Sequence, residues 1–178
     1  MTPRASRFHI FPYREEEPRS GQPPAQRPTV NLTVSSENRD IRIRALVDTG
    51  SQACIFGRAV ADALDINVGP GSAPRRRLRI LGDVHDAVMA HVTLDLPPFE
   101  GLSWEADAAF LVENLDLSFA GVLGQEGFLD RWVASFNYYD GFFVIEERDS
   151  FVERLGVDPF EIYQRGPFDS EWDRPSPH

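Results

Sequence analysis

The sequence predicts a mainly β domain with one or two short helices, and three features predict it. Apolar and polar residues alternate over TVNLTV (29–34) and along IRIRALV (41–47), which ends wholly apolar. Further strand-like runs recur at 75–82, 87–96, 107–113 and 133–147, separated by short polar or glycine-containing turns. A chain of 178 residues that is 42% hydrophobic suits one domain with tails and buries a sizeable core.

Taken in order, residues 1–28 hold Pro3, Pro12, Pro18, Pro23, Pro24 and Pro28 among charges and read as an extended N-terminal arm. Phe8, Ile10, Phe11 and Tyr13 give it apolar side chains able to dock on the domain. The domain proper spans 29–148 and opens with a hairpin, TVNLTV and IRIRALV joined by the polar turn SSENRD. ACIF is a short buried strand, and RAVADALDI places Val60, Leu64 and Ile66 at helical spacing before Gly69-Pro70-Gly71. RRRLRILG and AVMAHVTLDL form a long hairpin around Asp83-Val84-His85-Asp86. An extended DAAFLVE, the apolar FAGVLG, a brief helix in EGFLDRW and a hairpin turning at Asp140-Gly141 complete it, six or seven strands in all. Residues 149–178 are acidic and broken by Gly156, Pro159, Gly166, Pro167, Pro175 and Pro177, a tail with about one helical turn.

Composition removes several functions. A net charge of −10 opposes phosphate binding, so nucleic acid is not an expected partner; the cluster Arg75, Arg76, Arg77 and Arg79 reads as a wet strand edge that discourages aggregation, with attraction of acidic peptides to this hairpin as its functional alternative. There is no lysine for a Schiff base or a Walker-type loop. Cys54 is the single cysteine, which excludes an intrachain disulfide and suits a reducing compartment. Its apolar setting reads as a small core residue rather than a nucleophile. His85 and His91 lack the companions a metal site needs, and no metal or other cofactor is expected. No apolar run reaches membrane-spanning length and the N-terminus lacks a signal-peptide core, so a cytoplasmic protein without a membrane partner is expected.

Within ALVDTGSQACIF (45–56) the apolar strand breaks into Asp48, Thr49, Gly50 and Ser51, and Gly121-Val122-Leu123-Gly124 follows some seventy residues on. An Asp before a glycine-containing turn often does no more than cap a loop. Here the apolar frame and the later apolar-apolar-Gly favour catalysis. Together with the helix-like RAVADALDI, the hairpin at 76–95 and the expected helix GFLDRW after Val122-Leu123-Gly124, these residues resemble the retropepsin-type aspartic proteases over about residues 27–148. The resemblance implies a half-barrel fold, a homodimer, a peptide or protein substrate, and Asp48 as catalytic residue. It implies that the hairpin tip at Leu81, Gly82 and Asp83 is a flap over the substrate, that Val122, Leu123 and Gly124 form the loop beside Asp48, and that the Thr49 hydroxyl reaches the partner loop. Ser51 is expected to hydrogen-bond the outer oxygen of Asp48.

The chemistry agrees. Hydrolysing a peptide without metal, thiolate or activated serine requires a base for water and an acid for the carbonyl. Two carboxylates sharing one proton supply both, because their repulsion separates their protonation steps. One D-T-G occurs here, so two copies of the chain are needed. Retroviral members carry an arginine after the apolar-apolar-Gly element and an acidic residue soon after D-T-G, where this chain has Gln125 and Gln52. It resembles the cellular and bacterial members more closely. The alternative is a module of the same fold that binds peptide or dimerises without turnover.

Overall fold

Alternation along residues 29–47 becomes an antiparallel hairpin because it puts Val30, Leu32, Val34, Ala45 and Val47 on one buried side. The structure, a computed structural model, describes residues 8–16, 24–37, 39–72, 74–97, 102–115 and 119–156. Its elements in chain order are β1 (Phe8–Pro12), β2 (Arg14–Glu16), β3 (Ala25–Arg27), β4 (Thr29–Ser35), β5 (Asp40–Val47), β6 (Ile55–Phe56), α1 (Arg58–Ala63), β7 (Arg75–Ile80), β8 (Asp83–Asp95), β9 (Ser103–Leu111), β10 (Gly121–Leu123), β11 (Trp132–Asn137), β12 (Phe142–Glu147) and α2 (Arg148–Leu155). The expectation for the end of the tail, 157–178, lies outside the described residues.

Seven strands form the main sheet in the order β4-β5-β10-β6-β9-β8-β7, and a further β4–β8 pairing curls it into a half-barrel. β8 makes this possible by its length of 13 residues. Its first part pairs with β7, its second with β9, and Thr93–Asp95 also meet β4. The larger core packs Leu32, Leu94, Phe110, Leu123 and Phe128 inside, with the Phe56 and Phe110 rings 5.4 Å apart and Trp104 5.6 Å from Phe128. Each of these large side chains contributes about 1.5–3 kcal/mol by leaving water. A smaller cluster of Ile55, Leu78, Ala87, Ala109 and Leu111 lies along the β7–β8 hairpin.

Three elements differ from the expectation. EGFLDRW is not a helix: Gly127 has φ of +89°, and the segment winds through hydrogen bonds from Leu129 N to Gly124 O (3.0 Å) and from Trp132 N to Phe128 O (2.9 Å). A left-handed residue breaks the helical repeat there. The second helix is α2, ended by left-handed Gly156, with Asp149 in its first turn and Arg154 in its last, as the helix dipole favours. Third, among the described residues the domain 29–148 holds nine strands rather than six or seven, β4 to β12, and the arm adds β1 to β3, since short strands such as β6 and β2 have no periodicity to announce them.

The arm segment Phe8–Pro12 forms β1, antiparallel to β12, and with β11 makes a three-stranded sheet. Phe11 stacks on Phe143 at 5.3 Å. Among the described residues no helix is long and apolar enough to cross a membrane.

Candidate active site

Asp48 is the first residue after β5, and its placement depends on a crossing of two chain segments. β10 inserts between β5 and β6, parallel to the first and antiparallel to the second, with Gly121 opposite both Ala45 and Phe56. The Asp48 loop is bound to the strand that crosses it through Asp48 N to Leu123 O (3.0 Å), Gln125 N to Ser51 O (2.9 Å) and Glu126 N to Gln52 O (3.0 Å). Gly124 is required at the crossing, because a Cβ there would strike the Ala53 backbone carbonyl. Asp48 and Val122-Leu123-Gly124 are thereby side by side on a backbone with little freedom to shift.

The carboxylate is half-buried, and its Oδ1 accepts the Gly50 N–H at 2.9 Å. Thr49 is exposed, and its carbonyl accepts from Gln125 Nε2 at 2.9 Å. Ser51 differs from expectation: its hydroxyl donates to the Ala53 carbonyl at 2.8 Å, stiffening the loop rather than touching Asp48. Cys54 is fully buried, and burial, foremost, pushes its thiol up to about 12, with Asp130 adding to the rise and a hydrogen bond at the Gly124 backbone opposing it. Such a thiol is no nucleophile.

A cavity of about 410 Å³ opens over Asp48. Leu46, Ile55 and Val122 line it beside Gly50 and Ser51, together with Phe119 and with Arg79, Ile80 and Leu81 of the β7–β8 hairpin. The hairpin turns at Leu81-Gly82, whose φ values are +51° and +98°, with Ile80 opposite Asp83. This two-residue turn suits the strand twist, so the tip lies before Asp83-Val84-His85-Asp86, which belong to β8. Leu81 and Gly82 are at the tip, and Leu81 reaches the cavity; Asp83 is the first residue of β8 and exposed.

Farther from the tip, the hairpin is tied to the body of the domain. Arg76 forms a bidentate ion pair with Glu126, in the segment that follows the crossing strand. His85 Nδ1 donates to Glu113 Oε1 at 2.6 Å. Phe119 is a site residue that the sequence did not single out, whereas Arg76 and Arg79 stood there only in an arginine cluster and Gln125 only as a departure from the retroviral pattern. The apolar run before Val122 was a signal for Phe119; the others depend on contacts with distant segments.

No protein-family model and no curated protein matches the chain. Solved structures do. A retropepsin-like aspartic protease from Rickettsia conorii superposes with a TM-score of 0.50 and 16% identity, covering 79% of this chain and 93% of that one. The fold is retropepsin-like. An inhibitor complex of the EIAV protease matches with a TM-score of 0.39 and 13% identity over 74% of this chain and 90% of the other. In the retropepsin-like fold of this chain, the β5–β10 crossing places Asp48 at a cavity that the β7–β8 hairpin also lines. Among the described residues there is no group of His, Cys, Asp or Glu suited to a metal ion.

Proposed function

We propose that this chain is an aspartic endopeptidase that works as a homodimer, Asp48 of each copy supplying one carboxylate of the catalytic pair. The observation that carries the reading is the half-buried Asp48 carboxylate, fixed by the β5–β10 crossing, in a largely apolar cavity that the β7–β8 tip also lines. An extended peptide lies between that tip, the flap, and the Asp48 loop. One carboxylate, ionised, takes a proton from water as the water attacks the scissile carbonyl; the other, protonated, donates to the carbonyl oxygen. The tetrahedral intermediate collapses as a proton passes to the departing amine. The Gly50 N–H holds Asp48 Oδ1 in place, which leaves the second oxygen available for water. Thr49 and Gly50, with Val122, Leu123 and Gly124, support the loop, and Leu81, Gly82 and Asp83 belong to the flap. The lone buried thiol fits a reducing, cytoplasmic setting.

Asp48→Asn preserves shape and removes the titrating pair. It is expected to abolish cleavage of a proteome-derived peptide library at mildly acidic pH, with circular dichroism and Tm close to wild type. Mixing wild-type chains with excess Asp48→Asn chains should reduce activity as the square of the wild-type fraction once exchange is complete. Cleavage by the Asn protein, or activity proportional to the wild-type fraction after demonstrated exchange, would remove the shared pair from the mechanism.

A further inference from the structure

Two side chains at the flap tip have no evident role in folding. Leu81 takes the first position of the Leu81-Gly82 turn at φ +51° and is 89% exposed. Left-handed backbone disfavours leucine where Asn or Gly fits without strain, and an exposed leucine adds nothing to a core. Strain at an exposed apolar residue on a cavity wall points to recognition.

Arg79 lines the same cavity, where it is the one cation among the described lining residues. Its neighbours are engaged: Arg76 with Glu126, and Arg75 with the Gly69 and Ser72 carbonyls. Arg79 Nη1 donates to the Gly82 carbonyl at 3.2 Å, and among the described residues Arg79 has no carboxylate partner. That bond bends the guanidinium toward the turn and leaves other N–H donors of its planar fork for a ligand. Beside it, Ile80, Leu81, Phe119 and Val122 make an apolar wall.

We propose that the flap tip sets substrate preference, Leu81 covering a large apolar side chain of the bound peptide while Arg79 pairs with an Asp or Glu next to it. The preferred substrates are therefore peptides with a carboxylate beside a bulky apolar residue. The inference rests on the protease reading, which places the peptide between the flap and Asp48. The chain's net charge of −10 repels acidic peptides at long range, so the selection is local, made by a charge-assisted hydrogen bond on a partly desolvated wall.

The test uses full-length Asp48→Asn protein and fluorescent apolar decapeptides that differ only by Glu or Gln next to a Leu, scanned along the peptide. At one register the Glu peptide should bind about tenfold more tightly. Adding Arg79→Gln should bring that ratio near one, and Arg79→Glu should reverse it in favour of Lys. Leu81→Asn, which relieves the turn, should raise Tm while weakening binding of these apolar peptides. Equal binding of Glu and Gln peptides at every register, a ratio that survives Arg79→Gln, or undiminished binding by Leu81→Asn would overturn the proposal. Wild-type cleavage of the same peptides separates the two readings. A Glu preference in binding with no wild-type hydrolysis keeps the flap preference and removes the protease. Hydrolysis with no preference does the reverse, and absence of binding by every peptide removes both.

Discussion

Cys54 follows Asp48 closely along the chain, yet the two side chains meet opposite environments. Asp48 stands half-buried at a cavity, whereas Cys54 is sealed in the core against the glycine turn that follows β10. Burial raises the thiol from 9.0 to about 12, so its contribution to stability is full below about pH 9 and is lost as pH rises toward about 12. Native protein at mildly alkaline pH should resist thiol reagents until denaturant exposes the residue, and Cys54→Ala should retain measurable cleavage. Rapid labelling of folded protein would contradict the burial. The break from apolar strand into Asp48, Thr49 and Gly50 was legible in sequence because the three residues are adjacent. Ser51 was not, because the choice between the Asp48 oxygen and the Ala53 carbonyl depends on how the loop bends after Gly50.

At the scale of elements, the β7–β8 hairpin is held near its base and ended by a two-residue turn. The Arg76–Glu126 pair joins β7 to the segment that follows the crossing strand. The Arg76 hydrogen bond is the main cause of the lowered Glu126 pKa, with the attraction between the charges adding to it and slight burial opposing it. A lowered carboxylate pKa contributes stability that is present above the unfolded value, 4.5, and is lost as pH falls through the folded value below it. Both side chains face solvent, so the pair is worth about 1 kcal/mol or less. Arg76→Gln should therefore change Tm little but speed amide exchange in Arg75–Ile80, and in wild type the same acceleration, corrected for intrinsic rates, should appear below the folded pKa of Glu126. Unchanged exchange in both cases would show that the base of the hairpin is held by strand pairing alone. The hairpin was visible in sequence through its alternation, and its turn at Leu81-Gly82 falls within the expected tip of Leu81, Gly82 and Asp83; the polar run Asp83–Asp86, which resembles a turn in sequence, belongs to β8.

For the whole molecule, the arm segment Phe8–Pro12 is part of the structure. β1 adds an edge strand to β12, and Phe11 sits 8% exposed between the small sheet and the larger core. Phe11→Ala should cost about 3 kcal/mol or more, read as a lowered denaturant midpoint, because both the transfer of the ring and its stack on Phe143 are lost. A midpoint within error of wild type would mean that the arm is dispensable to the domain. The sequence by itself determined the mainly β class, the strand that ends in Asp48-Thr49-Gly50, the partner element Val122-Leu123-Gly124 and the long hairpin, since periodicity and turn chemistry act between near neighbours. Only the tertiary structure decided that β10 threads between β5 and β6, that Gly127 turns the following segment out of a helix, that Phe8–Pro12 docks on β12, and that Arg79 and Phe119 share a cavity with Asp48. Those outcomes join segments far apart in the chain, where loop closure must be offset by the burial of surfaces that no local pattern pairs in advance.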